Sequence, residues 1–321
     1  MSDAMTNAAA HTMRDMGEAD CETVVQLDGV TRRFGSTTAL EGVSLHVPRG
    51  TVFGLVGVNG AGKTTLLKHV LGLLKAQTGR VRVFGLDPVA DPVGVLSKIG
   101  YLSEEKDLPD WMRVDELVHY SRAFYSSWDD RYAEELRQAF ELDPARKIKQ
   151  LSRGQRARTG LLVALAHRPE ILVLDEPSTG LDPIVRRDIL AAIIRTISEE
   201  GRTVLFSSHL LDEVDRVCDH VTMIDQGRIV LSGELDRIKG SYHCLTVRFD
   251  TPQSGPPTIT GALAWQGARH EWTAVCNGRL GSLQAAVAQA GARIVDQRAP
   301  SLDEIFVAQV GRECPASEEG E

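Results

Sequence analysis

The chain has 321 residues and a formal net charge of −8, with 42% hydrophobic and 25% charged residues. That balance is ordinary for a globular chain able to bury a sizeable core. The acidic total excludes a general nucleic-acid binder, which needs a basic footprint, and no stretch reaches the roughly 18 consecutive apolar residues of a membrane-spanning helix.

The first 20 residues carry charges and polar groups but no apolar run of the kind a secretory signal needs. With Ser2 in place of glycine they also lack the myristoylation pattern. Residues 1–22 are therefore expected to form a disordered tail, because too little hydrophobic material is present to order them. Five cysteines (Cys21, Cys218, Cys244, Cys276, Cys314) show no metal or redox spacing and read as reduced thiols.

Structured sequence begins near Thr23. Val24, Gln26 and residues 39–47 alternate like half-buried strands. Pro48-Arg49-Gly50 signals a turn, residues 51–57 form an apolar strand, and a glycine loop leads into a leucine-rich helix over 63–74. Residues 108–167 read as mostly helical, with Leu117, Tyr120 and Phe124 at helical spacing. The aromatics Trp111, Tyr120, Phe124, Tyr125 and Trp128 are expected to form the core of a small helical subdomain.

From Glu170 onward strands and helices alternate: strand 171–174, helix 183–198, strand 203–206, helix 210–218, strand 221–224. This rhythm predicts a mainly parallel sheet with helices on both faces. After Gly240 it changes. Leu245, Val247 and Phe249 alternate like a strand and 251–257 is rich in Pro, Gly and Ser, so residues 241–310 read as a small α+β domain and 311–321 as an acidic tail.

The chemistry concentrates in a few segments. Gly57-Val58-Asn59-Gly60-Ala61-Gly62-Lys63-Thr64, with Thr65 following, fits the phosphate-loop pattern between a strand and a helix. Glycines let backbone N–H groups wrap an anion, and the helix start adds its positive end. Lys63 suits the β- and γ-phosphates, and the Thr64 hydroxyl suits Mg²⁺. Asp175 and Glu176 close the apolar strand 171–174, where Asp175 can hold the hydration shell of Mg²⁺. Glu176 can act as general base on a water in line with the γ-phosphate.

Leu151-Ser152-Arg153-Gly154-Gln155, just before a helix, narrows the choice among phosphate-loop proteins. This segment resembles the signature sequence of ABC transporter ATPases, with Arg153 where glycine is more usual. The resemblance implies that Ser152, Gly154 and Gln155 face the γ-phosphate of ATP held by a partner subunit. Ser178-Thr179-Gly180-Leu181-Asp182 resembles the family's D-loop, with Asp182 signalling across the dimer. His209 resembles its γ-phosphate switch histidine, and Phe34 the aromatic that stacks on adenine, a role any flat π-face can serve. Where the family usually has glutamine this chain has Glu104, an oxygen donor expected to sense Mg²⁺ and link it to the membrane partner.

The likeness covers about residues 23–239. It implies a P-loop NTPase core over 23–240, with an antiparallel β subdomain and a helical subdomain at about 104–167, plus the C-terminal α+β extension. Pro300-Ser301-Leu302-Asp303-Glu304-Ile305-Phe306 resembles the extension carried by ATPase subunits of ABC-2-type exporters. It further implies ATP hydrolysis by a pair of such subunits, Mg²⁺, separate integral-membrane permease subunits and no nucleic-acid partner. The expected place is the cytoplasmic side of a bacterial cell membrane, peripherally attached. A soluble ABC-type ATPase is the alternative, but such proteins carry two cassettes or long coiled-coil arms, and no sustained heptad run is present. A GTPase or kinase is disfavoured by the lack of an Asn-Lys-x-Asp sequence.

Overall fold

The computed structural model describes residues 22–104, 108–198 and 201–311. Most of the expected N-terminal tail and acidic C-terminal tail, with Cys21, Cys314 and the Glu105 neighbour of Glu104, lie outside the described residues.

The chain opens with β1 (Thr23–Phe34), β2 (Thr37–Pro48), β3 (Val52–Val56), α1 (Lys63–Val70) and β4 (Thr78–Val83), followed by α2 (Pro92–Leu96) and β5 (Ile99–Leu102). Three helices come next: α3 (Val114–Arg122), α4 (Asp130–Ala139) and α5 (Arg153–Ala166). The alternating part is β6 (Ile171–Asp175), α6 (Pro183–Ser198), β7 (Thr203–Ser208), α7 (Leu211–Val217) and β8 (His220–Asp225), closed by β9 (Arg228–Glu234) and α8 (Leu235–Ser241). The last part holds β10 (Tyr242–Gln253), β11 (Ala262–Asn277), α9 (Leu280–Gln289), β12 (Ala292–Arg298) and α10 (Leu302–Val310).

The central sheet has the order β5-β6-β7-β3-β8-β9. Its strands β5 to β8 pair in parallel, and only β8–β9 is antiparallel. β3, β6 and β7 are buried at every residue. This explains why they read as unbroken apolar runs rather than alternating ones: parallel strands are covered on both faces. Alternation still decides which side each residue joins. Phe53 and Leu55 pack with α1 and the antiparallel sheet β2-β1-β4, whereas Val52 and Val56 pack with residues of α5, α6 and α7. A Gln226-Gly227 loop, both residues at positive φ, turns β8 into β9; this is the tight hairpin that reverses the final strand.

The helix expected over 63–74 stops at Val70. Gly72 sits at φ +70° and its N–H bonds the carbonyl of His69. A left-handed glycine of this kind ends a helix, and a Cβ there would strike the Pro88 carbonyl at 2.2 Å. The aromatic core expectation is overturned for three of five residues. Trp111, Tyr120 and Phe124 are 73%, 51% and 65% exposed. Aliphatic side chains of α3, α4 and α5, such as Leu117, Leu136, Leu161 and Leu162, fill the interior instead. Tyr125 and Trp128 are half-buried, and Tyr125 stacks on His167 at 3.8 Å between ring centroids.

The third sheet, β11-β10-β12, is antiparallel and covered by α9 through Leu283 and Val287. α10 does not close over that sheet alone. Its Leu302, Ile305 and Phe306 share the main hydrophobic core with Leu211 and Val214 of α7. Cys218, Cys244 and Cys276 are free, and burial pushes the Cys276 thiol up to about 11. Among the described residues no helix is long and apolar enough to cross a membrane.

Candidate nucleotide site

Strand register assembles the site. Val56 at the end of β3 pairs with Ser208 of β7, and Asp175 at the end of β6 pairs with Ser207. The carboxyl ends of three neighbouring strands thus bring residues 57–62, Asp175-Glu176 and Ser207–His209 to one edge, where doubly wound sheets bind ligands. Leu102 pairs with Leu174, so the chain leaves β5 towards Glu104 at the same edge.

The glycine loop has the shape its sequence demands. A Cβ at Gly57 would stand 2.3 Å from the Ile224 carbonyl, and one at Gly62, at φ +111°, would stand 2.5 Å from that of Ala39. Both positions therefore require glycine. Gly62 precedes α1 without a side-chain cap, and the first turn holds no acid. The leading N–H groups of α1 thus open toward residues 57–62, an arrangement that suits phosphate oxygens. Asn59 and Gly60 are exposed, Ala61 is buried, and Thr64 and Thr65 are half-buried.

Lys63 is buried. Its Nζ donates to the carbonyls of Gly57 at 2.6 Å and Val58 at 3.2 Å, and pairs with Glu176 Oε1 at 3.0 Å. Glu176 Oε2 accepts from Thr179 Oγ1 at 2.9 Å and lies 2.7 Å from His209 Nδ1. Burial opposes ionisation of Glu176, but Lys63, then His209 and Thr179, outweigh it and hold the carboxyl below the usual carboxylate range. Its backbone sits at φ +47°, a strained value for a non-glycine residue, and its N–H donates to Ser207 Oγ at 3.0 Å. Ser207 Oγ in turn donates to Asp175 Oδ1 at 2.7 Å. One hydroxyl therefore ties both acidic residues to β7.

The segment 151–155 lies elsewhere on the surface. Ser152 is the exposed N-cap of α5: its hydroxyl accepts from the Gln155 N–H, and Gln155 Oε1 accepts from the Ser152 N–H. This capping box does not exclude a ligand role for an exposed hydroxyl. Gly154 is buried, and a Cβ there would press to 2.6 Å from Val185 Cγ2, so its bareness lets α5 and α6 start side by side. Asp182 is exposed and caps α6, accepting from the N–H groups of Ile184 and Val185. Phe34 ends β1 with 46% exposure and carries the Arg32 guanidinium 4.8 Å from its ring centroid. Glu104 stands in an exposed turn after β5.

Sequence reading passed over two supports. Ser207 and Thr179 hold the acidic pair, yet Ser207 was given no role and Thr179 stood only within the segment resembling the D-loop; the register Asp175↔Ser207 gives the first its meaning. A third network, Ser178 Oγ donating to Glu213 Oε2 at 2.6 Å with Arg186 pairing Glu213 at 3.2 Å, anchors residues 178–182 to α6 and α7.

The donor set fits a nucleotide and a hard cation. A buried lysine and uncapped N–H groups can meet phosphates. Thr64 and Asp175 offer oxygen to an ion that keeps several waters and phosphate oxygens. Among the described residues no three His, Cys, Asp or Glu side chains converge into a cage, and Mg²⁺ bound in this manner needs none.

Residues 40–179 match the family model described as ABC transporter. The chain is 34% identical over 307 residues to the daunorubicin resistance ATP-binding protein DrrA3 of Streptomyces coeruleorubidus, covering 90% of this chain and 96% of that protein. It is 32% identical over 302 residues to the ABC transporter ATP-binding protein YhaQ of Bacillus subtilis, covering 90% and 99%. A solved ATP-binding subunit of an ABC transporter superposes with a TM-score of 0.63 at 25% identity, covering 68% of this chain and 92% of that one. The dimeric ATP-binding cassette MJ0796 bound to ADP and Pi gives 0.59 at 25% identity, covering 66% and 98%.

Proposed function

This chain belongs to the ABC transporter family as an ATP-binding, ATP-hydrolysing subunit, and on that premise we propose that two copies, or this chain and a related one, close head to tail around two ATP molecules to drive export. In each site the loop 57–62, Lys63 and the start of α1, with Thr65 beside Thr64, grip the phosphates, and Phe34 stacks on the base. The partner's segment 152–155 covers the γ-phosphate from the other side. Mg²⁺, held by Thr64, by Asp175 through water and by Glu104, would screen the phosphate charge.

The observation that carries this reading is the cluster of buried Lys63 and Glu176 with half-buried His209. Lys63 and His209 both grip the Glu176 carboxylate, and both are suited to an anionic phosphate. An arriving triphosphate competes for the two cationic or donor groups and releases Glu176 toward solvent-side water. Glu176 then takes a proton from water as its oxygen attacks the γ-phosphorus and the β–γ bridge breaks. His209 donates to the γ-phosphate, and Asp182 reports its loss across the pair.

Separate permease subunits supply the membrane path. The exposed aromatics of the helical region support that partner. Val93, Leu96, Leu108, Tyr120 and Phe124 line an open groove of about 510 Å³. Val93 is 78% exposed and Tyr120 packs edge-on to Phe124 at 5.1 Å. A contiguous apolar groove of this kind suits a loop of a membrane protein. Helix α2, which supplies Val93 and Leu96 to the groove, runs on into β5, and β5 leads to Glu104, so Glu104 is suited to link nucleotide to permease. Export is supported by relatives named for drug resistance. The cargo sits with the permease, not with this chain.

Glu176→Gln tests the reading. It should retain ATP binding, lose roughly 10²–10⁴ of its turnover, and elute as an ATP-dependent dimer on size-exclusion chromatography. A variant that hydrolyses ATP at the parent rate as a monomer contradicts the assignment.

A further inference from the structure

Helix α1 meets the nucleotide site only at its start. At its other end, beside His69, an open cavity of about 450 Å³ lies between α1, β4 and the turn 87–90. That volume falls within the roughly 300–1,000 Å³ of small-molecule sites, and no step of ATP hydrolysis uses it. Its wall is set before any ligand arrives: Pro88 is buried, and Asp87 Oδ1 accepts from the N–H groups of Val89 at 2.9 Å and Ala90 at 3.2 Å.

His69 belongs to that wall and is wholly buried. Its Nδ1 lies 2.7 Å from the Thr65 carbonyl, which can only accept, so Nδ1 carries the proton. Burial holds the His69 pKa below the usual imidazole range despite that bond, and the nearby Arg32 adds to the shift. The ring is therefore neutral and Nε2 is a bare acceptor. Nε2 is buried and has no hydrogen-bond partner, a rarity in a folded chain. A second buried orphan stands close by. Arg32 Nε is unpartnered, although Nη1 of the same guanidinium donates at 3.1 Å to the carbonyl of Lys75, another residue of the cavity wall.

The mouth of the cavity is cationic. Lys75 and Arg80 line it, both are exposed, and among the described residues neither has an ion pair. Asp87 adds a carboxylate, but its Oδ1 is already engaged by two N–H groups. A ligand that satisfies both ends brings a hydroxyl to His69 Nε2 and an anion to Lys75 and Arg80, whose planar fork matches phosphate oxygens. We infer that this cavity is a second small-molecule site, separate from the nucleotide site, for a hydroxylated phosphate ester of the sugar- or polyol-phosphate class. Its hydroxyl donates to His69 Nε2 and its phosphate lies between Lys75 and Arg80. Six residues, about 9 Å of helix, separate His69 from Lys63. Soluble sugar phosphates and the headgroup of phosphatidylglycerol both carry this chemistry.

The test uses the full chain saturated with ADP and Mg²⁺, so that the phosphate loop is filled, and reads binding by isothermal titration calorimetry. The probes are glucose 6-phosphate and methyl phosphate, which has the anion but no alcohol. Glucose 6-phosphate should bind, and methyl phosphate should bind about tenfold more weakly or worse, because it leaves Nε2 unmet. Replacing both exposed cations, Lys75→Gln with Arg80→Gln, should weaken glucose 6-phosphate by about tenfold or more with an unchanged melting temperature. His69→Phe should erase the preference between the two probes. Because that change lies in the core, the exposed pair carries the test without it. Flotation with phosphatidylglycerol vesicles forms the second arm. Vesicle binding that is lost in the Lys75→Gln, Arg80→Gln chain, without binding of glucose 6-phosphate, supports the site with a headgroup as its occupant.

Three results overturn the inference. Neither glucose 6-phosphate nor the vesicles bind the ADP-saturated chain, and the buried acceptor is then met by water. Glucose 6-phosphate binds only the nucleotide-free chain, which places it in the phosphate loop. Binding in either arm is indifferent to the loss of Lys75 and Arg80, which places it elsewhere on the surface. None of these outcomes bears on the paired ATPase reading, because the cavity shares no residue with the nucleotide site.

Discussion

The two halves of the proposed nucleotide site are built in opposite ways. At the sheet edge, Lys63, Asp175 and Glu176 are almost wholly buried, and each is held by two or more polar contacts or by the hydroxyl of Ser207. On the covering face Ser152, Arg153, Gly180 and Asp182 are exposed, and their internal bonds are helix caps or none. The buried half has its charges matched within one chain. The exposed half has hydroxyls, N–H groups and a guanidinium left over. The groups proposed for hydrolysis are wired into the core, and those proposed for pairing are left at the surface.

That contrast can be broken most sharply at Lys63. Lys63→Ala leaves the buried Glu176 carboxylate without its main cation, and losing one partner of such a pair costs about 3–5 kcal/mol. Melting should drop sharply without nucleotide, and ATP affinity by equilibrium titration should fall as well. Retention of both would mean that the ion pair at 3.0 Å matters to neither state.

The two ends of α5 give the next test, since its start is exposed and its end is not. His167, capping the far end, is buried with Nε2 3.1 Å from the Ile99 carbonyl, and burial lowers its pKa from 6.5 to about 4. Folded His167 stays neutral where the unfolded chain takes up a proton. Its contribution is therefore complete above pH 6.5 and is lost as pH falls toward 4, by about 3 kcal/mol in all. His167→Gln should show a shallower loss of melting temperature between pH 7 and pH 4.5 than the parent. Parallel curves would assign the acid sensitivity to other groups.

Gly154 is the one buried residue of the covering segment 152–155. Gly154→Ala forces a methyl against Val185 and should cost about 1–3 kcal/mol by chemical denaturation, with weaker ATP-dependent pairing because α5 shifts against α6. The smallest effect belongs to the cap. Ser152→Ala should lose only about 1 kcal/mol of stability, yet reduce ATP-dependent dimerisation beyond what that loss explains. Equal, small losses in both measurements would restrict Ser152 to capping.

Much of the buried half was legible in the amino acids. A phosphate loop is a local object: glycines at fixed spacing, a lysine and a helix start specify its shape without distant help. Unbroken apolar runs at β3, β6 and β7 likewise announce strands covered on both faces. The aromatics of the helical region misled, because helical spacing at Tyr120 and Phe124 says which residues share a face but not whether that face meets a core. Leu117 of α3 went inward, Tyr120 three residues on was left outside, and Phe124 fell in the turn beyond the end of α3.

What the sequence alone determined is the set of reactive groups and the short loops that shape them, since those depend on backbone freedom and neighbours within a turn. Tertiary structure decided who meets whom. Register placed Ser207 against Asp175, packing put Lys63 and His209 on one carboxylate from opposite directions, and the bareness of Gly154 set α5 against α6. Contacts of this kind join residues 30 to more than 100 positions apart, and no local periodicity encodes the distance between them.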